Sequence, residues 1–183
     1  MDKERMIDIA LEEGFAEAAV IPVEELVFRK EFREICRIND CGNYGANYGC
    51  PPDCGEPEAM EERVRKYRYA VVFRSETPVG DLMDSQETKA IKKKHTAMTL
   101  RVRRRYEQEG GETGGLSIMA GPCNICTPCK RQTGEPCDHE DLRFSCMSAY
   151  CIDAAAMAKA CGMELVWSGN LASFFSLYCF EEV

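Results

Sequence analysis

Histidine is scarce in this chain, with two in 183 residues. Paired histidines at ligand spacing are missing, so histidine-based metal catalysis is not expected. The chain also lacks a Gly-rich phosphate loop with its lysine and a Gly-x-Ser-x-Gly segment, the marks of nucleotide and serine hydrolases. No apolar run reaches membrane-spanning length, so no membrane partner is expected. The opening Met-Asp-Lys-Glu-Arg has no signal-peptide core, which points to the cytoplasm. Basic residues are outnumbered, 23 Lys and Arg against 31 Asp and Glu, for a net charge of −8. Nucleic acid needs a basic footprint, so no nucleic-acid partner is expected. Hydrophobic residues at 45% and charged residues at 30% still describe an ordinary globular chain, long enough for its own core.

What the chain has in excess is cysteine, twelve residues in all. In a secreted protein that number would read as a disulfide framework. Without a secretion signal, clustered cysteines more often bind metal or do redox chemistry. Four of them, Cys36, Cys41, Cys50 and Cys54, form a first group, and Cys123, Cys126, Cys129 and Cys137 a second. Cys146, Cys151, Cys161 and Cys179 follow. Each group lies in a Gly/Pro-rich stretch and reads as a loop.

Between the loops the pattern is regular. Residues 3–13 predict a short helix with Ile7, Ala10 and Leu11 on one face, and Ala18 to Val23 a strand. Glu58 to Tyr67 predicts a helix, followed by a strand from Tyr69 to Phe73. Residues 86–108 form a long helix with Ile91, Met98, Val102 and Tyr106 along one stripe. Gly110, Gly111, Gly114 and Gly115 end it, and Leu116 to Ala120 reads as a buried strand running into Cys123. Ser145 is placed to cap a helix over 146–161, stopped by Gly162. Met163 to Trp167 and Ser173 to Phe180 read as closing strands around a turn at Gly169-Asn170. The expected fold class is α/β or α+β, a small mixed sheet with packed helices and two cysteine-rich metal-binding loops. No linker interrupts the pattern, so residues 1–183 are expected to form one domain.

The second group is the sharper signal. Gly121-Pro122-Cys123-Asn124-Ile125-Cys126-Thr127-Pro128-Cys129 spaces three cysteines by two residues, and Cys137 follows after seven. Its first three positions share the ferredoxin-type pattern that holds a [4Fe–4S] cluster. One zinc ion takes four ligands tightly and usually draws them from paired knuckles. Three thiolates in a row fan out along a curved backbone and suit the wider corners of an iron–sulfur cube. Lys130, Arg131 and Arg143 are near in sequence to offset the thiolate charge. Zinc remains the alternative, and His139 could stand in for Cys137 as its ligand, although a solvated loop histidine is the simpler reading.

The first group, with intervals of four, eight and three residues, fits no standard zinc knuckle. Its glycines let the backbone wrap closely and aim N–H groups at sulfur. Tyr44 and Tyr48 could shield a cluster from water, and Arg33 and Arg37 could balance its charge. Cys54 is the weakest of the four ligand candidates. If it is not a ligand, three cysteines would leave an open iron.

Cys36…Cys41-Gly-Asn-Tyr-Gly-Ala-Asn-Tyr-Gly-Cys50-Pro-Pro, then Gly-Pro-Cys123-x2-Cys126-x2-Cys129 and Gly134-Glu-Pro-Cys137, together resemble the predicted metal-binding protein family of bacteria and archaea, domain of unknown function 2284. The resemblance runs from about residue 30 to 162 and takes in Arg143-Phe144-Ser145 and Ile152-Asp153. It implies metal binding and no particular reaction. Against the family pattern, Cys151 stands where glycine is usual, Cys146 where an apolar residue is usual, and Cys54 is an addition.

Lys92-Lys93-Lys94 and Arg103-Arg104-Arg105 read as a solvated helix face opposite the apolar stripe. An anion patch or a docking surface for an acidic electron-transfer partner is the sharper alternative. The four late cysteines read as buried thiols, with Cys146 held in reserve as a ligand should Cys137 not serve.

Three functions follow. The first is an iron–sulfur protein, with one or two clusters of expected type [4Fe–4S], in a redox or electron-transfer role with a protein redox partner. The second is a zinc-binding structural or interaction module without redox activity. The third is an enzyme using an open-coordinated iron–sulfur cluster.

Overall fold

The computed structural model describes residues 2–110 and 114–181. Gly111, one of the glycines expected to end the long helix, lies outside the described residues. In chain order come α1 (Lys3–Glu12), β1 (Glu17–Pro22), α2 (Arg33–Ile38), α3 (Pro57–Arg65), β2 (Tyr69–Pro78) and α4 (Ser85–Gln108). They are followed by β3 (Leu116–Met119), β4 (Ser145–Cys146), α5 (Ala154–Ala160), β5 (Trp167–Ser168) and β6 (Leu171–Phe180). Among the described residues no helix is long and apolar enough to cross a membrane.

The strands form one open mixed sheet in the order β1-β2-β6-β3-β4. β2 and β6 pair antiparallel along their whole length, from Tyr69 opposite Phe180 to Pro78 opposite Leu171. The other side of β6 is divided between β3, at Leu177–Cys179, and β5, at Leu171 and Ala172. β3 and β4 are parallel. β2 and β6 read as nearly continuous apolar runs because both sheet faces are covered. Val71, Phe73, Tyr178 and Phe180 face α1 and α4, meeting Met6, Ile9, Met98, Val102 and Tyr106. On the opposite face Ala70, Val72, Leu177 and Cys179 meet Met60 and Val64 of α3 and Met157 and Ala158 of α5. Each fully buried side chain of this size contributes roughly 1.5–3 kcal/mol through the water it sheds.

Three local expectations need correction. The buried face of α1 is Met6, Ile9 and Ala10, while Leu11 is exposed. Ser145 caps no helix: Ser145 and Cys146 pair with Ile118 and Met119 as β4. The chain then turns through Tyr150 N–H to Cys146 carbonyl and Ile152 N–H to Met147 carbonyl contacts of 3.2 and 3.1 Å. Cys151 at φ 59° stops propagation there, and the Asp153 carboxylate caps α5 by accepting from Ala155 and Ala156. The closing hairpin is also asymmetric, because Met163–Val166 stays out of the sheet and only Trp167–Ser168 pairs. Gly162 at φ 67° ends α5 as expected.

His95 of α4 is buried against the sheet, its Nδ1 2.6 Å from the Ser75 hydroxyl and its Nε2 2.8 Å from that of Ser176. Thr99 extends the network to the same Ser176 oxygen at 2.7 Å. Burial holds the imidazole pKa down at about 3. A base depressed in the folded state stabilises the fold fully above its unfolded value of about 6.5, and that stability is lost as pH falls toward 3. Urea unfolding between about pH 7 and pH 5 should therefore weaken at up to roughly 1.4 kcal/mol per pH unit, with most of the slope missing in His95→Gln. Equal slopes in the two proteins would contradict this assignment.

Candidate metal centre

The first cysteine loop begins on a helix. Cys36 lies on α2, which ends where Asn39 takes the left-handed conformation at φ 62°. The loop then doubles back through Gly45 N–H to Pro51 carbonyl and Cys50 N–H to Asn47 carbonyl bonds of 2.8 and 2.9 Å. Positive φ at Gly42 and Gly45 makes this return possible. Cys41 and Cys50 are thereby brought round to Cys36, and Cys146 reaches the same place from the end of β4.

The thiols act on one another through space. Burial first, then Cys146 and Cys41, raise the Cys36 pKa to about 11. Burial followed by Cys146, Cys41, Cys54 and Cys36 pushes the Cys50 thiol up. Burial and Cys41 raise Cys146, against N–H groups of Ala149 and Ser148 directed at it and the charge of Lys92. Every pairing among Cys36, Cys41, Cys50 and Cys146 thus appears. Cys54 feels Cys146 and lies beside Cys50, and it is buried in the apolar cluster with Met60 and Tyr150, against which the less buried Cys146 also packs. Its Sγ stands 3.8 Å from the Gly55 carbonyl oxygen.

Arg33 is the cation of this site. It is 5% exposed, donating from Nη1 to the Gly55 carbonyl at 2.9 Å and from Nη2 to the Ala149 carbonyl at 2.8 Å. Its Nε is buried without a partner. Among the described residues no carboxylate pairs with it. A buried guanidinium beside thiols holds Cys36 and Cys54 down against the burial that raises both. Arg37 pairs instead with Glu34 at the surface.

The second group assembles after β3, whose chain runs through Gly121 and Pro122 into Cys123. Burial raises the Cys126 thiol, and Cys137, Cys123, Cys129 and then Asp138 raise it further, so the four sulfurs face one another. Tyr48, Ile125, His139 and Arg143 border the space between them. Lys130 and Arg131 are engaged by carboxylates instead, Lys130 with Asp138 at 2.6 Å and Arg131 with Asp53 at 2.8 Å.

The two loops touch. A Cβ on Gly49 would stand 2.1 Å from the Phe144 carbonyl oxygen and 3.0 Å from Cys123 Cβ, so only glycine fits. Buried Asn47 donates to the Cys123 carbonyl at 2.8 Å and accepts from Gly49 N–H at 2.9 Å. Tyr48 donates its hydroxyl to the Glu135 carbonyl at 2.7 Å. Tyr48 therefore borders the second thiol set although it belongs to the first loop. Among the described residues no three Cys, His, Asp or Glu side chains converge at single-ion distance. Cys151 lies near Cys36, while burial raises Cys161 to about 11 and lifts Cys179 in the core.

Residues 19–179 match the family model described as predicted metal-binding protein, DUF2284. The chain belongs to this family. No curated protein and no solved structure matches it. A bound metal in this DUF2284 protein accords with the family description and with two sets of facing thiols. The position of Cys146 was the part hidden from sequence: it is distant from the first loop, and the parallel pairing of β4 with β3 is what delivers it.

Metal analysis of serine and alanine variants separates Cys146 from Cys54. Cys146→Ser should lose about half of the metal per chain, that of one site of two. Cys54→Ala should keep the full load and cost roughly 1 kcal/mol of stability from lost packing. The reverse pattern would put Cys54 in the ligand set.

Proposed function

We propose that this DUF2284 protein is an iron–sulfur redox protein with two neighbouring sites. Cys123, Cys126, Cys129 and Cys137 would hold one cluster, and Cys36, Cys41, Cys50 and Cys146 the other, with Cys54 packing behind it. The observation that carries this reading is the arrangement of eight thiols as two sets on touching loops, the second set with the three-cysteine spacing of a ferredoxin-type run. Four thiolates can hold either a cube or one zinc ion, and the run of three cysteines at two-residue spacing favours the cube, because zinc usually draws its ligands from paired knuckles. A [4Fe–4S] cluster supplies one-electron transfer when bound.

The chain's own groups have distinct roles in this account. Arg33 offsets negative charge from within the core, and its orphaned Nε–H suits an anionic neighbour. The Ser148 and Ala149 N–H groups support a thiolate at Cys146. Tyr48 and Ile125 restrict water at the second site. The clasp between Asn47, Gly49 and Cys123 keeps the sites adjacent, as passage of an electron between them requires.

Protein purified without oxygen should be brown, with about eight irons and eight sulfides per chain and absorbance that bleaches on reduction. Colourless protein with stoichiometric zinc and no sulfide would replace this reading with a zinc-binding structural module.

A further inference from the structure

α4 carries a polar stripe that runs from exposed Ser85, Lys89 and Lys93 to half-buried Lys92 and buried Thr96. Ser85, Thr88, Lys89, Lys92, Lys93 and Thr96 recur at steps of three and four residues and so share one side of the helix. That side lines a cleft of about 410 Å³. The facing wall comes from both cysteine loops, with Asp40 and Cys41 from the first and Cys123, Cys126 and Cys129 from the second. The walls meet at Gly121, where a Cβ would lie 3.5 Å from that of Lys92.

Charge decides what such a cleft holds. Arg101, Arg103 and Arg105 on the same helix are each paired with glutamates. Lys89, Lys92 and Lys93 have no carboxylate at ion-pair distance among the described residues. Lys92 is half-buried, its Nζ 5.9 Å from the centre of the Phe174 ring. In a chain of net charge −8, these ammonium groups gather on one wall and face Asp40 as the one carboxylate of the described lining. Asn43, Asn124 and Gln132 add neutral polar groups. The volume is that of a small-molecule site.

We propose that this cleft binds a small anionic molecule bearing carboxylate or phosphate groups, held by Lys89, Lys92 and Lys93 against the edge formed by Cys41 and the Cys123–Cys129 loop. Ammonium groups serve such anions as charged hydrogen-bond donors. The anion site stands on the lysines whichever metal the thiols take. Its role as the place where a substrate meets a redox centre rests on the iron–sulfur reading above.

The test is calorimetric titration at low ionic strength with inorganic phosphate and, separately, malonate. The protein is purified without oxygen, and iron, sulfide and zinc are counted in the same samples. One site per chain is expected for at least one probe, weakened at least about tenfold in Lys92→Gln and in Lys93→Gln. Lys94→Gln should bind as the unaltered protein does, because Lys94 borders the groove at Ser75 and His95 instead. Preference between the probes assigns the ligand to phosphate or carboxylate chemistry. Binding of neither probe, or equal affinity in all three variants, overturns the proposal and leaves the lysines as counter-charges for the thiol sites. Zinc-loaded protein that still binds the anion keeps the cleft and loses its redox role.

Discussion

Between the backbone of Gly49 and the carbonyl of Phe144 there is no room for a side chain, and that close approach organises everything around the thiols. It lets the first cysteine loop lie directly on Cys123, where Asn47 bonds the Cys123 carbonyl and the Gly49 amide together. Any larger residue at 49 would push against backbone that cannot yield cheaply, since Phe144 leads straight into β4. The same junction therefore sets the distance between the loops and the position of Cys146.

The sheet supplies the rigidity behind this junction. β3 aims its chain into Cys123, and β4, paired parallel beside it, presents Cys146 to the first loop. Arg33 ties that loop to the turn after β4 by its bond to the Ala149 carbonyl. A buried cation without a carboxylate is costly unless negative charge lies near it. Thiolates at Cys36 and Cys54 beside Arg33 would supply that charge, with the Glu58 carboxylate adding to it from the surface. Positive charge thus enters from within at Arg33, while the lysines of α4 present it at the cleft outside.

Much of the fold was legible in the sequence because periodicity reports burial. The stripe of α4 and the apolar runs of β2 and β6 each show the face or faces they bury. The helix expected over 146–161 forms only as Ala154–Ala160, because Ala149 and Ile152 have helical spacing yet are buried from a turn, with Asp153 as the actual cap. The second cysteine group shows its proposed site in local spacing alone. The grouping of Cys146 with Cys36, Cys41 and Cys50 does not show in spacing, because strand pairing brings it there from a distant part of the chain. Similarly, Lys92 and Arg103 look alike as charge runs: helical spacing already pairs Arg103 with Glu107 and Arg105 with Glu109, while the cleft that the lysines line is a product of the fold.

Crystals grown without oxygen and measured at the iron and zinc absorption edges test the central claim most directly. The account predicts two separate iron peaks, one enclosed by Cys36, Cys41, Cys50 and Cys146 and the other by Cys123, Cys126, Cys129 and Cys137. A single peak shared by both groups, or peaks at the zinc edge alone, would contradict it.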